Sequence, residues 1–179
     1  MRLFTAINFD ESAKDQLCEV IDSLKKSAIK GNFTRRENLH LTLVFLGEIE
    51  TGRVHNIKYA MDCIEEKPFV LELSGAGRFQ RDSGEIFWIG ACKSQPLVSV
   101  HTQLVDRFTQ AGCSLEMREY KPHLTLAREL NLPEDFDRKQ LAEQTGIIRV
   151  PVKSIDLMKS ERVGGVLTYT RIHSKSLHS

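Results

Sequence analysis

Apolar and polar side chains alternate over residues 3–9, LFTAINF, with the period of a β-strand that buries one face. From Glu11 the period changes: Leu17, Val20, Ile21 and Leu24 recur at helical spacing behind an acidic first turn, which predicts a helix over residues 11–26. A polar stretch covers residues 27–37, and LHLTLVFLG at residues 39–47 then predicts a second strand stopped by Gly47. Residues 53–66 read as a helix ending before Pro68, and residues 69–73 as a strand that loosens at Gly75 and Gly77. The pattern then starts again, with a strand over residues 86–92, a helix over 97–110 closed by Gly112, and a strand HLTLA from His123. A helix over 134–144, a strand over 147–158 interrupted by Pro151, and a strand over 167–173 after a turn at Gly164 and Gly165 complete the chain.

The two halves share more than element order. The word HLTL occurs at residues 40–43 and at 123–126. Leu3 precedes His40 by 40 − 3 = 37 positions, and Ile86 precedes His123 by 123 − 86 = 37 positions. Equal spacing and matching elements point to an internal duplication, since chance repetition of an apolar word does not preserve register.

Strand alternation gives the repeated word its chemistry. His40 and Thr42 project to one face of their strand and Leu41 and Leu43 to the other, and His123 and Thr125 oppose Leu124 and Leu126 in the same way. The leucines serve the core, so the polar pairs are left to line an open face. Two imidazoles and two hydroxyls around one concavity suit a phosphodiester: one ring removes a proton from attacking water, the other supplies one to the departing oxygen, and the hydroxyls bond the phosphate oxygens. No covalent nucleophile is needed. A lone histidine on a strand is more often a structural group, and threonine is common in strands for its shape; the pairing of His with Thr two positions on, in both halves, is what favours chemistry. Zinc requires at least a third protein ligand, and neither strand offers HExxH, HxH or a nearby carboxylate on the histidine face, so no metal and no cofactor is expected. His55, His101, His173 and His178 lack a matching companion and are expected to be surface or structural groups.

Composition limits the setting. With 41% hydrophobic residues over 179, the chain suits one domain with a substantial core or two small lobes sharing one, and excludes a disordered or fibrous protein. Lys plus Arg number 25 against 24 Asp plus Glu, so no global field holds long nucleic acid, and any RNA contact is local. The opening MRLFTAINFDE lacks a signal-peptide pattern and no run is long enough for a membrane span. Cys18, Cys63, Cys92 and Cys113 form no CxxC and read as reduced, mostly buried thiols, so a cytoplasmic monomer without membrane contact is expected.

RLFTAI, ENLHLTLVFLG, LSGAGRF, IFWIG and KPHLTLARE together resemble the 2H phosphoesterase superfamily, and within it the bacterial and archaeal RNA 2',3'-cyclic phosphodiesterases once called 2'-5' RNA ligases. The resemblance covers most of the chain. It implies an α+β fold of two pseudo-symmetric lobes, each an antiparallel sheet with outer helices, around a central groove carrying both H-x-T motifs, with residues 1–179 forming one bilobal domain. It also implies His40 as proton donor and His123 as proton acceptor, an assignment that sequence physics leaves open. Arg128 in HLTLAR sits where the family commonly has arginine, and its guanidinium suits a phosphate. Phe79 is a candidate for stacking on a base, with ordinary packing the simpler role. Gly75 and Gly77 form no phosphate loop, because no helix opens after them. Two departures concern the substrate loops: Gln80 stands where proline is frequent, and GGVLTY ends the segment where Gly-Pro-x-Tyr is usual.

The expected partners are RNA 3' ends, or small nucleotides, with a cyclic phosphate. The expected reaction is hydrolysis to a 2'-phosphate, with reverse 2'-5' joining as a weak accompaniment. The rivals are hydrolysis of small cyclic phosphates or 2'-5' oligonucleotides, and a non-catalytic RNA-end-binding module.

Overall fold

The computed structural model describes residues 1–116 and 119–178. In chain order the elements are β1 (Arg2–Asn8), α1 (Glu11–Ser27), β2 (Lys30–Phe33), β3 (His40–Glu48), α2 (Val54–Asp62), β4 (Phe69–Arg81), β5 (Gly84–Ala91), α3 (Gln95–Gln110), β6 (His123–Asn131), α4 (Arg138–Thr145), β7 (Ile148–Val152), β8 (Ser154–Val163) and β9 (Val166–Ser176), with 3-10 turns at Arg36–Asn38 and Thr51–Arg53. They form two antiparallel sheets, β3-β1-β8-β9 and β2-β6-β5-β4-β7.

The pseudo-symmetry expected from the repeat is present: β3-β1-β8-β9 corresponds strand for strand to β6-β5-β4-β7. The sheets are not the two halves of the chain, however. β4, which ends the first half, pairs with β5 of the second, and β8, from the second half, pairs with β1. α1 packs against β2 and β7, and α3 against β3, so the helices are exchanged in the same sense. One continuous apolar cluster runs from Leu3 and Leu17 through Leu71, Phe87 and Leu104 to Val150 and Leu157.

Strand pairing also corrects the repeat by one residue. His40 lies opposite Asn8 and His123 opposite Gly90, separations of 40 − 8 = 32 and 123 − 90 = 33, so the partner of Leu3 in the second half is Glu85 rather than Ile86. Both motif strands carry a bulge just after the threonine: Ala6 faces Thr42 while Thr5 faces Val44, and Trp88 faces Thr125 while Phe87 faces Ala127.

Several boundaries differ from the sequence reading for identifiable reasons. α1 forms as predicted, with Asp10 capping its N-terminus by accepting from the Ala13 N–H at 2.9 Å, and Leu17, Val20, Ile21 and Leu24 buried. α2 ends at Asp62 because Gln103 of α3 captures the next turn, accepting from the Glu65 N–H at 3.0 Å and donating to the Glu65 carbonyl at 2.9 Å. α4 starts four residues late, since Asp137 takes the capping role and accepts from the N–H groups of Lys139 and Gln140, both at 2.9 Å. The strand expected over 147–158 is two strands in different sheets, parted at Lys153. Pro151 lies inside β7, an edge strand, where a missing N–H is tolerated. The polar stretch 27–37 hides β2, an edge strand on β6. The four cysteines are free, but only Cys113 is buried and Cys92 is exposed, so they are not the mostly buried set expected.

β4 does not loosen at its glycines: it continues to Arg81, with Gly75 at φ +69° in a register shift between Ser74 and Ala76. Gly77 is required by contact, because a Cβ there falls 2.2 Å from the Trp88 ring. Gly77→Ala therefore forces the Trp88 indole outward and is expected to destabilise by roughly 1–3 kcal/mol, the usual range for overpacking. Trp88 is the chain's single tryptophan, so urea unfolding followed by its fluorescence measures both the loss and the altered ring environment; wild-type stability in the variant overturns the packing argument.

Candidate active site

The four leucines of the two motifs are buried and the four polar residues between them are half-buried, as alternation requires. The tertiary fold then brings the motif strands together, with Cα atoms of β3 and β6 within 8 Å. The approach is held by hydrogen bonds from each half to the other. Thr34, just after β2, donates through Oγ1 to the Thr125 carbonyl at 2.8 Å and through its N–H to the Leu126 carbonyl at 2.8 Å. In return the Tyr120 hydroxyl, three residues before His123, lies 3.4 Å from the Thr42 carbonyl it donates to. Burial raises the Tyr120 pKa, which keeps the phenol a donor.

Both imidazoles are held in the same way. His40 Nδ1 is 2.7 Å from the Asn38 carbonyl and His123 Nδ1 is 2.7 Å from the Lys121 carbonyl, in each case two residues upstream. A carbonyl only accepts, so each Nδ1 carries a hydrogen and each Nε2 is the free position of the neutral ring. His40 Nε2 lies 3.0 Å from Thr42 Oγ1, whose hydroxyl donates to it in that form. Each ring also rests on two aromatic groups. Phe4 and Tyr169 lie 4.9 and 5.2 Å from His40, ring centre to ring centre, and Phe79 and Trp88 lie 5.2 and 5.9 Å from His123. Phe79 is thus placed against a motif histidine, with one edge on Trp88.

The two sides differ electrostatically. Burial holds His40 down to about 4, against an upward pull from the Asn38 carbonyl that exceeds the small further push from the Arg128 charge. Arg128 belongs to β6, the strand that approaches β3, and its charge is felt at the β3 imidazole. The bulge makes this possible: strict alternation from Thr125 turns Arg128 toward the core with Leu124 and Leu126, whereas the inserted residue leaves it exposed. The same position in the first motif is Phe45, five residues after His40 as Arg128 is after His123, and it lies exposed beneath Arg2. A cation suited to phosphate stands on one side alone of this pair of positions.

The sequence reading did not find the groups that hold the motif residues: the Asn38 and Lys121 carbonyls, Thr34, Tyr120, Phe4 and Tyr169. The face of a strand is readable for Phe4, which alternates with Ala6 and Asn8, but not that β9, two strands over, brings Tyr169 against it. Among the other histidines, His173 bonds Asp62 at 2.7 Å and His55 the Gly52 carbonyl at 2.9 Å, both structural contacts. His101 stacks on Tyr120 at 3.8 Å and so supports the residue that reaches Thr42. Among the described residues no three His, Cys, Asp or Glu side chains gather as a metal-ligand set, and no helix is long and apolar enough to cross a membrane.

Known proteins resemble this chain in sequence and in fold. The chain is 30% identical over 141 residues to an RNA 2',3'-cyclic phosphodiesterase of Thermotoga maritima, covering 77% of this chain and 75% of the relative. It is 33% identical over 129 residues to one of Methanocaldococcus jannaschii, covering 72% and 71%. Among solved structures, Escherichia coli LigT complexed with 3'-AMP superposes with a TM-score of 0.79 at 22% identity, covering 99% of this chain and 98% of that one, which supports the fold. The model of the 2'-5' RNA ligase superfamily matches residues 13–164, and with two antiparallel sheets joined at paired histidine motifs this chain belongs to that superfamily of 2H phosphoesterases.

Proposed function

We propose that this chain hydrolyses the 2',3'-cyclic phosphate at an RNA 3' end to a 2'-phosphate, with His40 as proton donor and His123 as proton acceptor. The observation that carries the reading is the shared hold on both rings, Nδ1 fixed at 2.7 Å by a carbonyl two residues upstream, with His40 Nε2 on the Thr42 hydroxyl that a substrate phosphate would engage. The names of the relatives and the 3'-AMP complex of LigT support the substrate class. His123 Nε2 takes the proton of a water whose oxygen bonds to phosphorus; the bond from phosphorus to the ribose 3' oxygen breaks, and that oxygen receives the His40 proton. Thr42, Thr125 and Arg128 bind the phosphate oxygens and the charge that builds on them. The shared core supports reading residues 1–179 as one bilobal domain, and the four free thiols support a cytoplasmic setting.

His40 must hold a proton to donate one, yet in the free protein it titrates at about 4. A bound phosphate resolves this, because its negative charge offsets Arg128 and favours the imidazolium. The sign follows: kcat/KM, which reports the free enzyme, has a limb near 4, while the corresponding limb in kcat lies higher. Arg128→Gln removes a positive neighbour and shifts the kcat/KM limb upward by a small amount, burial keeping it well below the ordinary 6.5. An unmoved limb in both comparisons shows that Arg128 and phosphate do not act on this ring.

Replacing His40 or His123 by alanine is expected to slow hydrolysis of a short RNA ending in a cyclic phosphate by roughly a hundred- to ten-thousandfold. The double variant should lose far less than the product of the two, since partners in one step act as a unit. Full activity in either single variant ends the two-histidine mechanism, and binding without turnover by the unmodified protein favours a non-catalytic RNA-end module. Turnover is also expected to persist in excess chelator, because two imidazoles supply the acid and base; activity lost with EDTA and restored by a divalent ion points instead to a metal mechanism.

A further inference from the structure

Asn38 is one of four polar or charged residues buried in the described chain, at 7% exposure. A buried amide needs partners, and its Nδ2 donates to the Leu167 carbonyl of β9 at 3.0 Å. Arg35 donates to the same carbonyl at 2.7 Å. The 3-10 turn between them is tied on its other side, where Arg36 reaches Glu11 and Asp15 of α1, each at 2.7 Å. The carbonyl that holds His40 Nδ1 therefore belongs to a residue fixed from three directions: by β9 through its side chain, by α1 through Arg36, and by the turn through its own N–H on Arg35 at 2.9 Å.

Among the described residues, the second motif has no buried side chain in the corresponding place. Lys121, whose carbonyl holds His123, is exposed, and its side chain lies 3.7 Å from an exposed Glu119. The same backbone contact is thus anchored through the residue's own side chain in one half, and in the other only through its neighbours Tyr120 and Pro122.

We infer that Asn38 is a positioning residue for His40, fixing through its side chain on Leu167 the carbonyl that sets the tautomer and orientation of the ring. The role in turnover rests on the proposed function; the role in the ring's tautomer does not. A substitution at Asn38 that removes the amide donor keeps the backbone carbonyl but loses its anchor to β9, so the ring gains freedom and water while the fold loses a single contact. A misplacement on the scale of an ångström at a reacting group reaches a hundredfold in rate.

The test uses Asn38→Ala, Asn38→Ser, whose hydroxyl is too short to span to Leu167, and Arg35→Ala, which removes the other donor to that carbonyl. Nitrogen-15 spectra of the imidazoles in the free protein record which ring nitrogen carries hydrogen. The unmodified protein should show His40 in one Nδ1–H form; the Asn38 variants should show an average of both forms. Their kcat should fall roughly ten- to a hundredfold with KM within about threefold, and their His40 limb should move from about 4, as the ring loses the upward pull of the Asn38 carbonyl and gains water. Arg35→Ala should keep the His40 signals and the limb. If the alanine variant does not fold, the serine variant carries the test. A single Nδ1–H form with an unmoved limb in a folded Asn38 variant, or equal effects from Arg35→Ala, overturns the inference and leaves Asn38 a fastener of β9. Absence of turnover in the unmodified protein defeats the proposed function alone, because the spectra still decide the tautomer.

Discussion

The structure depends on the two-residue period of the motif strands. Burying a leucine side chain contributes roughly 1.5–3 kcal/mol, against about 1 kcal/mol for a typical hydrogen bond. A one-residue slip of β3 brings Leu41 and Leu43 out of the core together and turns His40 and Thr42 into it, and no hydrogen bond to an imidazole compensates. The leucines thus set the register, and the histidines face the open side as a consequence. The same holds for Leu124 and Leu126 in β6, so packing in two places orients the chemistry in both.

Packing of each strand does not bring the strands together. That is accomplished by exchange between the halves: β4 and β8 cross to the opposite sheets, α1 packs on β2 and β7 and α3 on β3, and Thr34 and Tyr120 each donate to the carbonyl of the other motif's threonine. The contacts are unequal, at 2.8 and 3.4 Å, and they come from segments outside the motifs. Pseudo-symmetry in the backbone is accompanied by asymmetry in the side chains. One half offers Arg128 and the other Phe45; one imidazole is clamped through a buried asparagine and the other through an exposed lysine. The proposed reaction, with one acid and one base, calls for two environments, and a duplicated frame with unlike surroundings offers them.

The sequence alone determined the α+β class, most of the elements, the duplicated H-x-T words and the face on which they stand. These follow from local periodicity, and periodicity survives in a linear string. It also supplied the family, because the motif spellings are specific in combination. The repeat spacing was legible to within one residue, the error being a choice of reference residue in β5 that only cross-strand pairing fixes.

Only the tertiary structure decided which strands share a sheet, and with it everything that acts between distant residues. β2 was invisible because KGNF is a short, polar edge strand whose one partner lies about a hundred residues away, and the split of residues 147–158 into β7 and β8 depends on two sheets competing for one apolar run. The place of Arg128 depends on a bulge, the depressed pKa of His40 on burial by Phe4 and Tyr169 and on a charge from the other half, and the hold on its ring on an asparagine anchored to β9. Hydrophobic pattern records how a residue faces its own neighbours along the chain; the partners across the site are set by long-range pairing, which leaves no period in the sequence to read.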